Sequence, residues 1–204
     1  LKKNVTIPTK WEDVTVRQFQ LYSASIKIAD TDEQKMRVAL HTLCGMSDKE
    51  IKGMSVKDAH AMIGRLAFLS EDPKGDEVLV QKFTLEGVEY GFIPNWTQLT
   101  LGEYIDLETY TSSGKMTEHL HEALGLMYRP ITSTALHQYE IEPYEVDDRR
   151  NKLMLDVPMN IAVGAMVFFY TIGRAFATDM RSYLNRLKEA ELARRSGLNG
   201  AGIE

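Results

Sequence analysis

Residues 97 to 110 read TQLTLGEYIDLETY and set Glu103, Asp106 and Glu108 within a short span. Paired carboxylates can bind a divalent cation through oxygen, or split their pKa values so that one acts as acid and the other as base. On a helix, residues three apart share a side, so Glu103 and Asp106 can approach one another while Glu108 lies on another face. A second demand on Glu103 competes with that chemistry. Thr100-Leu-Gly-Glu103 has the form of a capping box, in which the acid reaches back to the residue that starts the helix. Acids early in a helix are also favoured by its dipole.

His119 and His121 form an H-x-H pair, a familiar metal-ligand spacing in extended chain. If 119 to 121 are helical, the two rings point about 200° apart and cannot grip one ion, as an i, i+4 pair would. A metal-dependent enzyme would have to combine this region with Glu103 and Asp106. His41, His60 and His137 stand singly, and the one cysteine, Cys44, ends an apolar helical face, the setting of a buried and inert thiol. No nucleophile elbow, P-loop or dinucleotide-binding glycine pattern occurs, and the sequence calls for no cofactor and no metal.

The elements that must position these residues are mostly helical. With 204 residues, 44% hydrophobic and 26% charged, the chain has the composition of a globular domain with a sizeable core. Thr15-Val-Arg-Gln18 is a capping box ahead of Val16, Phe19, Tyr22 and Ile26 at helical spacing, predicting a helix over 16 to 28. Asp32 opens a second that Gly45 stops, Ser47-Asp-Lys-Glu50 caps a short one, and Ser55 caps a longer one. The charged, breaker-rich segment 71 to 77 marks a sub-boundary. After it, 78 to 93 reads as a β-hairpin turning at Glu86-Gly87, and Val5 to Ile7 is the candidate for a third strand beside it.

Helix resumes after Thr100, with Leu101, Tyr104, Ile105 and Leu107 as its apolar side, and again from Met116 until Arg129-Pro130 ends it. Residues 131 to 147 read as irregular, followed by a short helix over 148 to 155. From Pro158 a seam of Met159, Val163, Met166, Tyr170, Gly173, Ala177, Met180, Leu184 and Leu187 recurs at steps of four and three, predicting one long helix to about 194. Residues 157 to 173 carry no charge, but the run is too short and too polar for a membrane span and reads as a buried helix. The expected architecture is mainly α with a small β-hairpin. It would be a single domain over 1 to 195, a multi-helix bundle with a long C-terminal helix, and 196 to 204 a flexible tail.

Two surfaces are candidates for partner binding. In YEIEPYEVDD, residues 139 to 148, Tyr139, Ile141 and Tyr144 alternate with acids, a pattern suited to adding to a neighbour's sheet edge or docking on a basic partner; the competing reading is a solvated loop pinned by its tyrosines. The second is the exposed half of the C-terminal seam, at Ala177, Met180, Leu184 and Leu187. The net charge of -5 argues against a broad nucleic-acid face, leaving 174 to 195 as the one helix on which a nucleic-acid-binding regulator would rely.

With these motifs placed, the order W-x-D-V-T-x-x-Q-F at 11 to 19, FLSED at 68 to 72, a hairpin, LTLGEYIDLE at 99 to 108 and LMYRPI at 126 to 131 resembles a loosely defined group of small tailed-bacteriophage proteins encoded among virion and tail-assembly genes. The resemblance spans most of the chain. It implies a non-enzymatic role as a structural component of the particle or a chaperone of its assembly, located in the virion or in the host cytoplasm during assembly. The partners it implies are other phage structural or assembly proteins, or further copies of the chain, and no small-molecule substrate. The group has no catalytic signature, so no site residue carries over.

Overall fold

The computed structural model describes residues 6–70, 79–96, 99–111, 115–135 and 138–171. The fold is mainly helical with a small four-stranded antiparallel sheet. The chain divides into two compact units, Leu1–Ala165 and Met166–Glu204.

The first unit opens with helices α1 (Val16–Ile26), α2 (Asp32–Thr42), α3 (Asp48–Lys52) and α4 (Val56–Arg65). One piece of chemistry starts all of them. Thr15, Thr31, Ser47 and Ser55 each accept a backbone N–H three residues on, and Gln18, Gln34 and Glu50 reach back to complete the box in the first three. α2 ends where Gly45 turns to a φ of 64°, a backbone conformation that costs glycine nothing. The first N–H groups of α1, which its own turns cannot satisfy, donate to distant carbonyls: Val16 to Val157 at 2.9 Å and Arg17 to Leu155 at 2.8 Å. This ties the start of the chain to the helix that precedes residue 158.

The sheet is built from β1 (Lys82–Leu85), β2 (Val88–Phe92), β3 (Tyr128–Ala135) and β4 (Gln138–Ile141), in that spatial order. Glu86 and Gly87 both take positive φ, 49° and 80°, the geometry of a tight two-residue hairpin turn. The hairpin's neighbour is not the N-terminal segment. Thr6 and Ile7 are not in a strand, residue 5 lies outside the described residues, and β2 pairs instead with β3 through Tyr90–Pro130 and Phe92–Tyr128. Residues 131 to 141, expected to be irregular, supply most of β3 and all of β4.

Pro130 does not prevent this pairing. Its missing N–H falls on the side of Glu142, just past the end of β4, where the one remaining bond runs from Glu142 N–H to the Pro130 carbonyl at 3.0 Å. Between β2 and β3 the fully buried rings of Phe92 and Tyr128 meet at 5.0 Å, and Tyr128 donates its hydroxyl to the Val80 carbonyl at 2.7 Å.

α5 (Leu101–Thr111) and α6 (Leu120–Met127) sit between the two hairpins in sequence, and α7 (Asp148–Met154) follows the sheet. α6 begins at Leu120, later than the sequence pattern predicts, because residues 115 to 118 form turns. Asp147 caps α7, accepting the N–H groups of Arg149 and Arg150. Residues 159 to 171 are helical, as the Pro158 start predicts; the remainder of the seam, with Ala177, Met180, Leu184 and Leu187, and the whole 174 to 195 face lie outside the described residues. Among the described residues no helix is long and apolar enough to cross a membrane.

Candidate functional site

α5 faces the opposite way from its apolar pattern. Leu101 is 74% exposed, Ile105 50% and Tyr104 40%, whereas Glu103 and Leu107 are buried. The expectation that Leu101, Tyr104 and Ile105 anchor the helix is therefore corrected: of the residues named, only Leu107 does. The reason lies in β3, where Arg129 is 5% exposed and needs a counter-charge. Glu103 supplies it through a contact of 2.8 Å, in the same side chain that completes the capping box, taking the Thr100 N–H at 2.7 Å and its hydroxyl at 2.8 Å. A carboxylate held at both ends sets the rotation of the helix, and the apolar residues beside it turn outward.

The polar layer continues from there. The Arg129 guanidinium stands 5.9 Å over the Tyr144 ring, and Tyr144 donates its hydroxyl to Asp106 at 2.8 Å. Burial lowers the pKa of Arg129, and Glu103 works against that shift; burial together with Asp106 raises the Tyr144 hydroxyl well above its usual range. Glu103 and Asp106 do share a side of α5, but each is committed to a different structural partner, and Glu108 points to solvent. The buried Nε of Arg129 has no hydrogen-bond acceptor among the described residues.

A cleft of about 300 Å³ adjoins this layer, lined among others by Ile93, Leu99, Glu103, Arg129, Tyr139 and Ile141. Tyr139 lies across the sheet, with its hydroxyl donating to the Phe92 carbonyl at 2.7 Å and the Lys82 ammonium 4.7 Å from its ring. It can do so because β2 carries Gly91 at the crossing point, where any Cβ would collide with the ring. Of the predicted partner-binding residues, Tyr139 and Ile141 thus belong to the chain's own sheet, and Tyr144 is pinned to α5. A larger cleft, about 440 Å³, lies beside α1 and α2; its Arg37 and Asp48 pair with each other at 2.7 Å, and His41, which also lines it, has its Nδ1 2.8 Å from the Met46 carbonyl.

The two histidines behave differently from a helical H-x-H. His119 is the N-cap of α6, off the helix, with φ -105° and ψ 17°. Both Nδ1 atoms consequently approach one carboxylate oxygen of Glu122, at 2.6 Å for His119 and 3.9 Å for His121. The Gln20 amide nitrogen, which also serves the carbonyls of Thr117 and Glu118 at 2.8 Å, sits 3.1 Å from His121 Nδ1. Burial lowers the pKa of His121, and Glu122 opposes the shift. Among the described residues no group of three or more His, Cys, Asp or Glu is placed to hold a metal ion. Burial raises the Cys44 thiol.

Sequence reasoning missed Arg129 and Gly91. A signal for the first was present, an arginine at the junction of a buried helix and a β-branched run. Against protein-family models, curated proteins and solved structures alike, the chain has no match.

Proposed function

We propose that this chain is a non-enzymatic protein–protein interaction module of a tailed bacteriophage, built into the particle or chaperoning its assembly. The observation that carries the reading is the inversion of α5. In the stretch LTLGEYIDLE the acids that might have done chemistry are spent on a helix cap, an ion pair and a tyrosine hydroxyl, while Leu101 and Ile105 are presented to solvent. Leu101 and Ile105, one helical turn apart with Tyr104 beside them, give α5 an apolar outer face of the kind that a partner protein covers.

The module's partners are other structural or assembly proteins of the particle, or further copies of itself, and its contact surfaces are the outer face of α5, the segment 139 to 148 and the C-terminal seam. Light scattering of the purified chain, followed by capture from a lysate of cells assembling the particle, tests this. Retention of virion or tail-assembly proteins is the expected result. A large rise in thermal stability on adding divalent metal would instead favour a metalloprotein and sink the pure-interaction reading.

A further inference from the structure

β4 ends the sheet, and among the described residues no strand pairs with its outer side. In antiparallel pairing, successive residues turn their N–H and C=O alternately to one neighbour and to the other. The Glu142 N–H donates to Pro130, so Gln138 and Glu140, in the same phase, face β3. Tyr139 and Ile141 therefore turn their backbone N–H and C=O outward. The irregularity between Ile131 and Ser133 adds its extra residue to β3, so the alternation along β4 is unbroken. An edge of this kind is a template for another extended chain.

The side chains say what kind of chain fits. Tyr139 and Ile141 are half-buried and line the cleft. Glu140 and Glu142, which alternate with them, are exposed; Glu140 accepts from the Ser133 hydroxyl at 3.0 Å, and Glu142 lies 3.8 Å from Arg150. A second β4 laid antiparallel along this edge would set Glu140 opposite Glu142 or Glu140 of the copy, depending on register, and like charges across a strand pair are destabilising. A strand with lysine or arginine in those places gains what the copy would lose.

We propose that the outer edge of β4 takes up an extended segment of a partner protein as a further strand of the sheet, a segment that alternates apolar residues with lysine or arginine. The apolar positions would continue the Tyr139 and Ile141 face and the basic ones would meet Glu140 and Glu142. This inference rests on the interaction reading above and specifies one partner for one of its surfaces.

The full chain is titrated with a synthetic peptide of alternating valine and lysine, and with a valine–glutamate peptide of the same length, while backbone amide exchange is followed. Ile141→Pro removes an outward-facing donor and none that β3 uses, since proline is tolerated on an edge strand whose N–H faces solvent; Ile141→Val keeps the donor. The expected results are slowed exchange at Tyr139 and Ile141 with the lysine peptide and binding about tenfold weaker in Ile141→Pro. In the double variant Glu140→Lys with Glu142→Lys, which does not depend on proline being accommodated, preference should pass to the glutamate peptide.

Equal binding of the two peptides by the wild type, undiminished binding by a folded Ile141→Pro, or self-pairing through β4 would each overturn the proposal. Failure of the broader reading has a different signature: the chain would retain no phage protein from the lysate whatever the peptides do.

Discussion

Removing the Glu103 carboxylate should show how much of the molecule hangs on one side chain. Glu103→Ala leaves the Arg129 charge buried without its partner and is expected to cost about 3–5 kcal/mol in a denaturant titration, against about 1 kcal/mol for Thr100→Ala, which removes the cap alone. Replacing Glu103 and Arg129 together with apolar residues of similar volume should cost less than Glu103→Ala, because the penalty lies in the orphaned charge and not in the pair. His121 carries the second residue-scale prediction. Its pKa is lowered in the fold, chiefly by burial, so the unfolded chain takes up the proton first as pH falls. The contribution is complete above the ordinary histidine value of about 6.5 and is lost progressively as pH drops from there to the folded value. Unfolding free energy should therefore fall more steeply from pH 7 downward in the wild type than in His121→Gln, which has no ring to titrate.

At the scale of the elements, the crossing of Tyr139 over β2 depends on a glycine. Gly91→Ala should displace the ring and destabilise the fold by about 1–3 kcal/mol, and the same substitution in a Tyr139→Leu background should cost much less, as measured by thermal unfolding. Some elements could be read directly from the chain. The Thr/Ser-x-x-Gln/Glu boxes at 15, 47 and 100 each start a helix where they predict one, because capping is settled by residues three apart. The Glu86-Gly87 turn is equally local. What escaped a sequence reading is what depends on distant partners. β3 and β4 were hidden because Pro130 and the polar run Thr132 to Thr134 look like loop, and only the pairing of β3 with β2 on one side and with β4 on the other makes them strands. The outward turn of Leu101 and Ile105 was hidden because nothing near them in sequence announces that Glu103 must meet an arginine of β3. The same long-range contact decides the candidate site: Glu103 and Asp106 were singled out for their types, but their partners, Arg129 and Tyr144, determine that they hold the fold.

For the whole molecule, the proposed function requires that a partner protein cover the outer face of α5. Leu101 and Ile105 contribute little to the isolated fold at their exposure, so Leu101→Glu with Ile105→Glu should shift unfolding stability by only about 0.5 kcal/mol in either direction. The decisive measurement is capture by the full chain from a lysate of cells assembling the phage particle, run side by side for the wild type and this double variant. The expected result is that the wild type retains virion or tail-assembly proteins and that the folded variant loses them. A wild-type chain that stays monomeric in light scattering and retains none of those proteins would contradict it.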